Sequence, residues 1–99
     1  MALVTVDTEK ITVAAAAIGF TAAKITTQVL MALVTVETAA VRINAKNTPV
    51  AGGAEGSHLA NPGDEFEVWG YGDLKNFRAI REGATSGVLM VSFQGAGTT

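Results

Sequence analysis

The sequence predicts an all-β protein: a small single-domain β-sandwich or jelly-roll-like barrel of about seven short strands. Three observations predict it. Short runs alternate apolar and polar residues with the period of two that a half-buried strand requires, as in Val41-Arg42-Ile43-Asn44-Ala45-Lys46 and Glu65-Phe66-Glu67-Val68-Trp69. Glycine-bearing turns separate these runs, and many short strands between such turns imply a sandwich or small barrel. The 99 residues, 48% of them apolar, make one core over 1–99 with no room for a second domain.

The elements follow in chain order. The first six residues read as a strand, and residues 1–10 as an N-terminal arm or edge strand. Lys10-Ile11-Thr12-Val13 opens another. Met1-Ala2-Leu3-Val4-Thr5-Val6-Asp7-Thr8 recurs as Met31-Ala32-Leu33-Val34-Thr35-Val36-Glu37-Thr38, with seven of eight positions identical. No third copy follows at position 61, so two similar strands are expected rather than a repeat array; Met31 as an alternative start is the other reading. Ala22, Ile25, Val29, Leu30 and Leu33 also fit a helical stripe. The β-branched Thr26, Thr27, Val29, Val34, Thr35 and Val36 tip the segment toward strand, and Leu30–Val36 reads as one. Asn47–Ala60, with three glycines and little apolar material, is the longest expected loop and an exposed one.

Asn61-Pro62-Gly63-Asp64 is a turn with a mechanism: proline presets φ and glycine supplies a positive φ. Glu65–Trp69 is a strand with Phe66 and Val68 on one face and Trp69 on the other. Gly70-Tyr71-Gly72-Asp73 breaks it and leads into a helical turn at Leu74–Asn76. Phe77–Arg81 is a short strand. Glu82–Gly87 reads as a hairpin loop, and Val88–Phe93 as a strand apolar on both faces, hence covered on both sides.

Composition excludes several functions. With no cysteine there is no disulfide scaffold, Cys-based zinc site or catalytic thiol. A net charge of −2 argues against nucleic-acid binding through a basic surface. The first charges are acidic where a secretory signal needs basic ones. Thr12–Ala23 and Ile25–Val36, two uncharged stretches split by Lys24, are too short to span a bilayer. The expectation is a soluble protein made in the cytoplasm, with no membrane partner. Charged residues are only 16%, against roughly a quarter in an ordinary soluble chain. A surface that poor in charge points to assembly with neighbours.

No catalytic constellation is visible, so the expectation is not an enzyme, with no cofactor and no metal. His58 is the sole histidine, and with only Ser57 beside it there is no third group to orient a triad. Asp64, Glu65 and Glu67 lack the ligand spacing of a calcium loop and read as a solvated strand face. Gly52-Gly53-Ala54-Glu55-Gly56 lacks the lysine and helix of a phosphate loop. Arg42, Lys46, Lys75, Arg78 and Arg81 form no basic run. Trp69 and Tyr71 flank Gly70 and have three readings: interface anchors, core closure, or a stacking platform for sugars. The candidate interface residues are Leu3, Val4, His58, Trp69 and Tyr71.

Residues from about Ala32 to Phe93 resemble small structural proteins of tailed bacteriophages. The resemblance runs through Leu33-Val34-Thr35-Val36-Glu37, Val41-Arg42-Ile43, His58-Leu59-Ala60-Asn61-Pro62-Gly63-Asp64, Phe66–Val68, Asn76–Arg81 and Gly83–Phe93, with a looser match at Ala17–Lys24. Such proteins are similar to β-sandwiches that act as decoration or cement proteins. The resemblance implies a virion structural protein at the capsid surface. It would bind the major capsid protein and stabilise the head, as a homo-oligomer with a trimer favoured. The alternatives are another virion component (tail, neck or head fibre) and a carbohydrate-binding module using Trp69 and Tyr71.

Overall fold

Seven strands and one short helix make up the computed structural model, which describes residues 3–53 and 56–96. The strands are β1 (Leu3–Val13), β2 (Val29–Glu37), β3 (Val41–Asn44), β4 (His58–Ala60), β5 (Glu65–Trp69), β6 (Arg78–Arg81) and β7 (Gly87–Ala96). They form two antiparallel sheets, ordered β1-β7-β2-β5 and β4-β3-β6. Helix α1 spans Tyr71–Asn76, and a single 3-10 turn spans Ala22–Lys24.

The core lies between the sheets. Ile11, Val34, Val36, Val68, Leu89, Val91 and Phe93 come from the four-stranded sheet, and Val41, Ala60 and Ala79 from the other. These are alternate residues of their strands, as a half-buried sheet demands. The crossover from β1 to β2 contributes Phe20 and Ile25 to the same core. Phe20 stacks on Phe77 with ring centroids 4.4 Å apart and meets Phe93 edge-on at 5.3 Å. Each such pair adds about 0.5–1.5 kcal/mol beyond its area burial.

The crossover lies close enough over the end of β7 to explain Gly95. A Cβ there would run into the Gln28 carbonyl oxygen. Polar ties hold it to β1: Thr21 donates its N–H and its hydroxyl to the Glu9 carboxylate, and Lys24 Nζ reaches Asp7 Oδ1 at 3.1 Å. Beyond it, residues 14–18 run beside β6, with Ile18 and Ala79 exchanging backbone hydrogen bonds of 2.9 and 2.8 Å.

Several expectations change in detail. The two strands expected within residues 1–13 are one continuous strand from Leu3, interrupted by an irregularity between Thr5 and Asp7; Met1 and Ala2 lie outside the described residues. The seventh strand is His58–Ala60, at the end of the expected loop, where three residues suffice to pair with β3. The segment between β1 and β2 divides: its front is the 3-10 turn and its back is strand from Val29.

Glu82–Gly87 is not a hairpin loop, because β6 pairs with β3 in one sheet and β7 with β1 and β2 in the other. Apolar alternation marks strands but not whether consecutive strands share a sheet. Nor is β7 covered on both sides, since Met90 is exposed on its outer face. The Asn61–Asp64 turn forms as read, with Gly63 at φ 94° and Asp64 N–H donating to the Asn61 carbonyl at 2.9 Å. Among the described residues, no helix is long and apolar enough to cross a membrane.

Candidate interaction face

The register of the four-stranded sheet defines its outer face row by row. Trp69, Met31, Gln94 and Thr5 align across β5, β2, β7 and β1; the next rows are Glu67, Leu33, Ser92, Thr8 and then Glu65, Thr35, Met90, Lys10. Their chain neighbours Val68, Ala32, Phe93, Val34 and Val91 point the other way, into the core. Glutamates gather toward the β5 edge and Lys10 stands on β1. Between them the face is threonine, serine, glutamine, leucine and methionine. Met31 is 3% exposed and stands outside the core cluster, closed over on this outer face.

Trp69 is 51% exposed at the end of β5. Its indole N–H donates to Glu67 Oε1 at 2.7 Å, which fixes the ring on the face where alternation placed both residues. Tyr71 opens α1, exposed, with Lys75 Nζ 5.7 Å from its ring centroid. A cation so placed is weakly attracted to the ring face.

Along the β5 edge, between the sheets, lies a cleft of about 380 Å³. Ile43, Phe66, Val68 and Phe77 give it an apolar lining, and His58, Glu67, Trp69 and Asp73 supply its polar groups. The structure therefore brings His58 and Trp69 together, which their eleven-residue separation in sequence did not suggest. Phe66 and Ile43 were missed as site residues. Their apolar strand positions mark them as core; the sheet order leaves Phe66 on an edge strand, and Ile43 faces the cleft from the inner strand of the other sheet.

Leu3 and Val4 stand apart from this cleft. They lie on β1, the opposite edge strand, three strand spacings or roughly 14 Å from β5. Leu3 points outward on the Trp69 face and Val4 inward, yet they are 37% and 44% exposed.

The 45–57 loop is anchored. Asn44 Oδ1 accepts the N–H groups of Lys46 and Asn47, turning the chain out of β3. Arg42 pairs with Glu82 and donates to the Ser57 carbonyl at 3.2 Å, while the other Glu82 oxygen accepts the Gly52 N–H. The Arg42 hydrogen bond holds the Glu82 carboxyl below its ordinary range. Ser57 is buried, its hydroxyl accepting the Val50 N–H at 3.2 Å. Among the described residues, no three His, Asp or Glu side chains gather as a metal ion would need. What the arrangement offers is a broad, sparsely charged sheet face, an aromatic rim and an apolar edge cleft.

Comparisons with protein-family models, curated proteins and solved structures find no match to this chain.

Proposed function

We propose that this is a virion structural protein, a capsid decoration or cement protein of a tailed bacteriophage that binds the major capsid protein at the head surface. The observation that carries the reading is the outer face of the four-stranded sheet, which the described residues leave open around Met90 and Trp69. Threonine, leucine and methionine fill it, and the fixed, half-exposed Trp69 stands at its rim. Such a face suits flat packing on a protein shell, where a tryptophan anchor concentrates binding energy. Many weak copies bridging capsomers gain strength by linkage rather than by individual affinity. The resemblance of Leu33–Glu37, His58–Asp64 and Gly83–Phe93 to phage structural proteins supports the same reading. On it, the protein is non-enzymatic, needs no cofactor, and acts without nucleic acid or membrane.

The test mixes purified protein with heads that lack it. The expected result is saturable binding at copy numbers comparable to the major capsid protein, lost in Trp69→Ala. No binding at micromolar concentration overturns the reading. Few copies at one vertex would make the protein a neck, tail or fibre part. Retention on immobilised glycans, abolished by Trp69→Ala, would make it a carbohydrate-binding module built on the same cleft.

A further inference from the structure

The two copies of the repeated octad flank the same strand. Leu33–Thr35 of β2 pair with β7 on one side and with β5 on the other, where Leu33 faces Glu67, Val34 faces Phe66 and Thr35 faces Glu65. Leu3–Thr5 of β1 pair with β7 and, among the described residues, have no strand on their other side. So β1 shows at a free edge the sequence that β2 uses to hold β5. At the far side of the sheet, no strand among the described residues pairs with the outer edge of β5.

We propose that β5 of one copy adds to the β1 edge of the next, continuing the sheet head to tail. The register repeats the internal one: Leu3 beside Glu67, Val4 beside Phe66, Thr5 beside Glu65. Three features select this partner and register. First, each residue in an antiparallel sheet sends its N–H and C=O to one neighbour only, alternating along the strand. Across four strands that alternation leaves both ends of a row in the same state. The outward-directed groups of β1 therefore meet outward-directed groups of β5, with outer faces continuous.

Second, Val4 lies on the inner face and is 44% exposed, while its counterpart Val34 is 0% exposed. In the joint, Val4 enters the apolar cleft beside Phe66, an edge that no other strand among the described residues fills. Third, the edge is closed further along β1. Lys24 Nζ donates to the Thr8 carbonyl at 3.1 Å, and the strand is irregular between Thr5 and Asp7. A lysine and a bulge are the usual means of blocking an edge strand. Here they stop short of the end that carries Leu3, Val4 and Thr5, which stays open.

A pairing this short buries far less than the roughly 1,600 Å² of a standard interface. Each joint alone is weak. The arrangement that holds is a ring, in which every copy gives one edge and receives at the other. A head-to-tail contact must close this way or grow into a filament.

The chain has no cysteine, so the joint can be trapped directly. Directly opposed cross-strand residues have Cβ atoms about 4.5–5.5 Å apart, near disulfide reach. Protein carrying Leu3→Cys is mixed with protein carrying Glu67→Cys under mild oxidation, with Thr8→Cys and Glu67→Cys as the control pair. The expected result is a mixed disulfide in the first mixture and its loss in the control. Adding Val4→Asp to the Leu3→Cys protein should also abolish it, with thermal unfolding unchanged. A product in both mixtures, in neither, or chiefly between two Leu3→Cys chains overturns the proposal. Only this protein is present, so the outcome is separate from capsid binding.

Discussion

Leu3–Thr8 and Leu33–Thr38 share five of six residues and have different fates. In β2 the segment is an inner strand with Val34 and Val36 sealed in the core, and the strand ends at Glu37. In β1 it is an edge strand, exposed at Leu3 and Val4, and it runs on to Val13. The same side chains contribute core energy in one place and an open edge in the other. What a residue does here is set by how many strands lie beside it.

The largest effect that tests this contrast is a charge at equivalent valines. Val34→Asp buries an unpaired carboxylate and costs about 4 kcal/mol or more, enough to unfold a domain of this size. Val4→Asp changes stability by less than about 0.5 kcal/mol, as at other exposed sites. Urea unfolding of the two variants checks it; similar losses would mean that β1 is as enclosed as β2.

A smaller effect of opposite signs is expected at the last octad position. Thr38 sits at φ 76°, in the centre of a three-residue turn closed by the Ala39 N–H on the Glu37 carbonyl. That sense of turn is strained for a β-branched residue. Thr38→Gly stabilises by up to about 1 kcal/mol, whereas Thr8→Gly, inside a strand, costs about that much. Melting temperatures that move in the same direction would break the comparison.

The smallest effect distinguishes the acids. The Thr8 backbone N–H, and after it Lys24, hold the Asp7 carboxyl below its ordinary range. A carboxyl lowered in the folded state stabilises above the unfolded pKa of about 3.9 and loses that contribution as pH falls through the lowered value. Asp7→Asn should therefore melt below the parent at neutral pH and low salt. The gap should close in strong acid and narrow with added salt.

How much could be read in advance differs by region. The strand at Glu65–Trp69, its inward Phe66 and Val68, its outward Trp69 and the Asn61–Asp64 turn were all legible, because period-two alternation and turn chemistry are local. His58–Ala60 was not, since three residues carry no period; their strand exists because β3 lies beside them. The cleft joining His58 to Trp69 was equally hidden, and so was the crossing from β6 to β7.

The sequence by itself determined an all-β chain, the two faces of Glu65–Trp69, the Asn61–Asp64 turn and the lack of thiol chemistry. These depend on one residue and its near neighbours. Only the tertiary structure decided the order of the strands, the place of β5 at one edge and where the cleft opens. Strand order is a long-range property: backbone hydrogen bonds are alike for every strand, and side-chain alternation does not record the neighbour on either side.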